Sequence, residues 1–190
     1  MPNGDPELNI EIHGYALVSA DDRIADADGQ MPAGLHNDAD WAYFQRGLDL
    51  ADITAIGRVS HEATPNTKGR RRLVLSRGAC GLERRDDAWW WNPAETPWSE
   101  VTARLLPEGG RVAVPGGQAA FDVLLRIGFT GFHLSRAARV TLPGGRGVFA
   151  VCEAGASAED TLRGAGLKAQ PAILLDAAAE VSLTLWRARA

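Results

Sequence analysis

The sequence has few cysteines, no long apolar run and no excess of positive charge, and each shortage removes a class of protein. Cys80 and Cys152 are its only two cysteines, too few for a disulfide framework, and they read as free thiols in a reducing cytoplasm. No stretch approaches the ~18–20 uninterrupted apolar residues of a membrane span. The polar start, Met1 to Asn9, lacks the positive region and apolar run of a secretory signal. The formal net charge is −4, which argues against a nucleic-acid partner. There is no repeat period, no low-complexity segment, no Gly-x-Ser-x-Gly elbow and no Walker A loop. The four histidines (His13, His36, His61, His133) show no metal-ligand spacing, so no metal is expected. What remains is ordinary globular composition, 190 residues with 45% hydrophobic and 23% charged. That predicts one cytoplasmic domain over 1–190 that handles a small molecule, with neither membrane nor nucleic acid involved.

The elements alternate in type. Asn9 to Ser19 is β-prone and becomes continuously apolar, as a central strand does. Asp21 to Leu35 reads as a long loop. Asn37 or Asp38 caps a helix to about Ala51, with Trp41, Phe44 and Leu48 as its buried stripe. Strands are predicted at Ile53 to Gly57, Leu73 to Leu75 and Arg111 to Val114, and strand pieces at Phe132 to Leu134 and Arg139 to Leu142. Helices are predicted from Pro97 to about Leu106 and after Gly116-Gly117, where Phe121, Leu124, Leu125 and Gly128 fall at helical spacing. Residues 79–97 carry no clear period, and Trp89-Trp90-Trp91 reads as a strand edge or a surface cover, including the cover of a homodimer interface. Ala172 to Leu175 and Val181 to Arg187 read as a closing antiparallel hairpin. Strands separated by helices imply parallel pairing with right-handed crossovers.

Three predicted strand ends carry residues suited to an anionic ligand. Val114-Pro115-Gly116-Gly117 opens a helix, whose free N–H groups favour phosphate. Ile56-Gly57-Arg58-x-Ser60 and Leu75-Ser76-Arg77 place a cation and a hydroxyl just past their strands. In open α/β sheets, ligands bind beyond such carboxyl ends. Asp40 shares a helix face with Phe44, and from spacing alone its plain reading is a solvated first-turn carboxylate stabilised by the helix dipole. Arg70-Arg71-Arg72 reads as an exposed approach to a strand, with one arginine available to an anionic substrate group.

Taken in order, these pieces resemble the dihydrofolate reductase superfamily, which includes the reductase domain of the riboflavin-biosynthesis deaminase-reductase. The resemblance spans roughly Ile10 to Phe149. Ala16-Leu17 with Asp22-Arg23-Ile24-Ala25 looks like the first strand and the start of the mobile active-site loop, which ends at Met31-Pro32. Asp40-Trp41-Ala42-Tyr43-Phe44 looks like the helix bearing the active-site carboxylate. Counting without gaps from Met31-Pro32 reaches Asp38 instead, and counting back from Phe44 reaches Asp40, which helix spacing favours. Gly57-Arg58-Val59-Ser60 looks like the cofactor-binding segment, and Val114 to Phe121, with Gln118, like the family's Gly-Gly segment, often built on a cis peptide. Gly69-Arg70 looks like the strand approach that grips the folate tail, and Leu134-Ser135 like the strand whose hydroxyl bonds the carboxylate.

The resemblance implies an α/β fold of three layers, a mostly parallel sheet with helices on both faces and a C-terminal antiparallel hairpin. It implies NADPH as hydride donor, with Ala16, Ile24, Gly57, Arg58, Ser60, Ser76, Arg77, Gly116, Gly117, Gln118 and Phe121 around the cofactor. It assigns catalysis to Asp40 and the substrate to Phe44, Arg70 and Ser135. The leading expectation is reduction of a pterin, with 7,8-dihydrofolate first. A riboflavin-pathway reductase of 5-amino-6-(5-phosphoribosylamino)uracil, a non-catalytic NADPH-binding paralogue and a plain flavodoxin-like domain are the alternatives.

Overall fold

The structure, a computed structural model, describes residues 9–189, so most of the polar start lies outside the described residues. The centre is β1 (Ile10–Ser19), flanked in parallel by β7 (Gly110–Val114) and β8 (Gly131–Ala137). Beyond β7 the parallel run continues through β3 (Ile53–Gly57), β4 (Arg72–Leu75) and β6 (Ala88–Trp91), and β5 (Leu82–Arg85) closes that edge antiparallel. Beyond β8 lies the antiparallel β12 (Val181–Ala188), whose outer side takes both β10 (Leu167–Ala169) and β11 (Ile173–Asp176). A separate two-stranded ribbon joins β2 (Arg23–Ala25) to β9 (Arg146–Gly147). The expected mostly parallel sheet with an antiparallel C-terminal hairpin is therefore present.

Period-2 alternation along β1 sorts the layers. Ile12 and Val18 join Ile53, Leu73, Val112 and Phe132 in the main core. That face is covered by α3 (Trp98–Leu105), α4 (Gln118–Ile127), α5 (Ala150–Glu153) and α6 (Ala158–Gly164). The opposite face carries Tyr15 and Ala113 under Leu48 of α1 (Asp38–Asp49), and Ile56 and Val74 beside α2 (Arg58–Ala63). A glycine sets how closely α1 approaches: a Cβ on Gly47 would lie 2.4 Å from the Tyr15 ring. Among the described residues no helix is long and apolar enough to cross a membrane.

Several local expectations are corrected. Trp41 is 50% exposed, because α1 packs through Tyr43, Phe44, Gly47 and Leu48 rather than through a stripe containing Trp41. Arg139–Leu142 is no strand; the Asp21 carboxylate accepts from the Leu142 N–H at 2.9 Å and holds this segment as a loop. The arginine run is not uniformly exposed: Arg72 is buried as the first residue of β4 and donates to the Thr64 carbonyl at 2.8 Å. The tryptophan run is an inner strand, with Trp91 buried and the rings of Trp89 and Trp90 covered by Arg104 and Arg85.

Candidate active site

Asn37 caps α1, its side-chain oxygen accepting from the N–H groups of Ala39 and Asp40 at 3.1 Å. Its amide nitrogen also donates to Asp176 at 2.8 Å, which ties the start of α1 to β11. This cap fixes the rotation of the first turn and separates the two candidate carboxylates. The Asp38 side chain is fully exposed at 100%. Asp40 is half-buried over the sheet near Ser135 of β8, itself 1% exposed. Burial pushes the Asp40 carboxyl above its ordinary value, while the Ser135 hydroxyl and His36 pull the other way. Phe44 is half-buried one turn on, set edgewise to Tyr15 and 5.4 Å from the Trp41 ring. Asp40, Phe44 and Ser135 therefore form one group on the α1 face, with Asp40 rather than Asp38 as its carboxylate.

A second group lies at the carboxyl ends of β3, β4 and β7. Gly116 and Gly117 take φ values of 137° and 86°, which L side chains rarely adopt. The expected cis peptide is not found: every peptide bond among the described residues is trans. A Cβ on Gly117 would stand 3.6 Å from the Ser60 hydroxyl and 3.9 Å from the Gly57 backbone, whereas one on Gly116 would meet open space. Gly117 precedes α4 without a side-chain cap, so the first N–H groups of that helix remain available. Ser76 and Arg77 follow β4 next to this cradle, because Gly57 and Leu75 are register partners. Arg77 is exposed, and the Ser76 hydroxyl accepts from the Gly78 N–H at 3.1 Å. Arg58 is paired with Glu62 at 2.7 Å on the surface.

Three residues assigned to ligands are otherwise employed. Phe121 is 1% exposed and packs on Phe132 and Phe149 at centroid distances of 5.2 and 6.2 Å, so it is core and not a cofactor contact. Gln118 spends its amide N–H groups on the Gly147 carbonyl and Glu153, at 3.1 and 2.6 Å, fastening α4 to β9 and α5. Arg70 stands at the far end of α1, roughly 13 Å along the helix from Asp40, and binds Asp49 and the Gln45 side chain. Ala16 and Ile24 are half-buried and packed against the main core. The segment read as a mobile loop is anchored at its base: Asp22 is buried and accepts from Arg136 at 2.7 Å and from the Ala158 N–H at 3.1 Å.

The sequence reading missed one polar cluster on the α1 face. The Tyr43 hydroxyl lies 2.6 Å from His133 Nδ1, and His133 Nε2 lies 3.1 Å from His13 Nδ1. The Tyr15 ring stacks on His133 at 4.3 Å. The available signal was the alternation Glu11, His13, Tyr15, which places three polar side chains on one face of a central strand.

Comparison with known proteins bears on the fold. A dihydrofolate reductase from Enterococcus faecalis, solved with NADP(H) and RAB-propyl, matches with a TM-score of 0.65 at 13% identity, over 95% of this chain and 97% of that one. A protein described as a riboflavin biosynthesis protein from Shewanella sp. PV-4 matches with a TM-score of 0.66 at 15% identity, over 95% of this chain and 100% of that one. The chain has the dihydrofolate reductase-like fold. A third solved structure with this fold is a diaminohydroxyphosphoribosylaminopyrimidine deaminase/5-amino-6-(5-phosphoribosylamino)uracil reductase from Thermotoga maritima. It matches with a TM-score of 0.63 at 14% identity, over 95% of this chain and 57% of that longer chain. No family model matches the chain, and no curated protein matches it in sequence. The open backbone at Gly116-Gly117 and the uncapped start of α4 have the room and the free N–H groups that a phosphate group needs.

Proposed function

We propose that the chain is an NADPH-dependent reductase of a pterin-type or related pyrimidine ring, with 7,8-dihydrofolate the first candidate. The observation that carries this reading is Asp40, a half-buried carboxylate with a raised proton affinity beside Phe44 and Ser135. Such a carboxylate accepts a paired N–H group of an amidine-like ring edge through a charge-assisted double hydrogen bond. Its raised proton affinity also suits it to help deliver a proton to the bound ring. Phe44 offers an aromatic face one turn away, so the ring is held flat as well as anchored. Gly57, Ser60, Gly116 and Gly117 would hold the cofactor, with Arg58 and Arg77 at its phosphate end. Bound NADPH supplies the hydride; the chain supplies orientation and electrostatics.

The pyrimidine substrate of riboflavin synthesis is the second reading, and one observation favours it. Arg70, expected to grip a folate tail, already has Asp49 and Gln45 as acceptors. A substrate without that tail carboxylate would not need to displace them. The deciding experiment follows NADPH absorbance with purified protein and either dihydrofolate or 5-amino-6-(5-phosphoribosylamino)uracil. Substrate-dependent oxidation with one of them identifies the acceptor. Failure with both, while NADPH binds, would reject the enzyme reading and leave a cofactor-binding paralogue.

A further inference from the structure

On the α1 face, at the amino ends of β1, β7 and β8, lies a cavity of about 200 Å³ that the reductase reading does not use. Glu11, His13, Arg111, Thr130, His133 and Arg187 line it. It opens below the Asp40 group: His13 lies four residues or roughly 13 Å along β1 from Leu17, the partner of Ser135, and His133, two residues before Ser135 on β8, forms the wall between them.

The two hydrogen bonds allow two proton orders, and the Glu11 carboxylate oxygen beside His13 Nε2 favours the one in which that nitrogen carries the proton. Burial, then the neighbouring His13 and the guanidinium groups of Arg111 and Arg187, push His133 down to about 3, and burial and Arg111 lower His13 too, so both rings are neutral at physiological pH. Each neutral ring carries one proton. With Tyr43 donating to His133 Nδ1, the His133 proton sits on Nε2 and is donated to His13 Nδ1. The His13 proton then sits on Nε2, a buried atom with no hydrogen-bond partner; the nearest carboxylate oxygen, on Glu11, is 3.5 Å away. That Glu11 oxygen is already shared by two nitrogens of Arg111, at 3.0 and 2.7 Å. The Thr130 oxygen accepts from the Ile12 N–H at 3.1 Å, so its own hydrogen is free to be donated. Arg187 is exposed at the mouth. The cavity thus presents several donors and one acid, and that acid is spoken for. We propose that it is a second binding site, for a small oxyanion carrying a phosphate or carboxylate group. Its floor joins α1 through His133 and Tyr43, three residues from Asp40, so occupancy is felt by the helix that bears the carboxylate.

The test titrates inorganic phosphate, and in a parallel arm acetate, into protein carrying ¹³C-labelled histidine, with calorimetry alongside. Neither cofactor nor ring substrate is present, so its outcome is independent of the reductase reading. The expected result is a saturable shift of the His13 and His133 signals with His36 and His61 unmoved. Tighter binding of one anion names its source as phosphate or carboxylate. Arg187→Met should weaken binding at least about tenfold, the worth of one charge-assisted hydrogen bond, and Thr130→Val should weaken it in the same direction. Arg58→Ala should leave it unchanged. Absence of a saturable shift with both anions would overturn the proposal. So would shifts that survive Arg187→Met, or binding lost in Arg58→Ala, which would place the phosphate in the Gly117 cradle.

Discussion

Replacing Gly47 by alanine tests whether the contact between α1 and β1 sets the position of Asp40. The added Cβ would stand 2.4, 2.5 and 2.7 Å from the Cε1, Cζ and hydroxyl oxygen of Tyr15, where ordinary contact begins at 3.4 Å. Relief therefore needs a movement of about 1 Å, the difference between 3.4 and 2.4 Å. Tyr15 is poorly placed to provide it, being 5% exposed and stacked on His133 within 7° of parallel. Overpacking of this kind costs ~1–3 kcal/mol, and the better helix propensity of alanine returns ~1 kcal/mol. The net expectation is a destabilisation of up to ~2 kcal/mol, a fall of at most about 4–8 °C in the thermal midpoint. If α1 is what yields, Asp40 moves with it, and a misplacement of that size costs on the order of 100-fold in rate. Gly164→Ala is the control, because a Cβ there meets nothing within 4 Å and the midpoint should hold or rise. Denaturation and turnover of both variants decide the matter. A Gly47→Ala protein as stable and as active as the parent would show that the helix is not held at this distance by the glycine.

Asp40→Asn should lower turnover at least about tenfold while raising stability at neutral pH. Burial lifts the folded carboxyl above its ordinary value of 3.8, so the charge is a burden that appears as pH rises through the folded value and is absent below 3.8. Denaturant midpoints should separate above that range and converge below about pH 4; parallel curves would remove Asp40 from its buried site. Arg58→Ala should weaken NADPH more than NADH in a fluorescence titration, since its exposed partner Glu62 costs under ~1 kcal/mol to lose. Equal weakening of both cofactors would take Arg58 away from the phosphate that distinguishes them.

Long or strongly patterned elements were legible in the sequence. The continuous apolar run of β1, the Gly-Gly break before α4 and the alternating tail each announce themselves because backbone and burial agree there. α5, α6 and β10 were not seen; they are four, seven and three residues long, too short for a period to emerge. Trp41 misled because Gly47, which has no side chain to count, is part of the true packing stripe. At Phe121 two readings competed, the helical period that buries it and the family position that exposes it, and packing on Phe132 prevailed. The placing of Asp40 beside Phe44 on the inward side of α1 was legible from aromatic spacing on one helix. The His13–His133 pair was invisible because register across β1 and β8, not spacing along the chain, brings residues 120 positions apart together.

The place of β12 in the sheet also has a consequence for how the molecule comes into being. The last strand in chain order is an interior one, pairing with β8 from Val181 opposite Ala137 to Arg187 opposite Gly131. While the chain is emerging from a ribosome, β8 keeps a bare hydrogen-bonding edge, and β10 and β11 have nothing to lie against. Synthesis can therefore deliver everything up to residue 180 without delivering a closed sheet. That interval is when a neighbouring nascent chain can supply the missing strand, and the time taken to synthesise β12 sets how long it lasts.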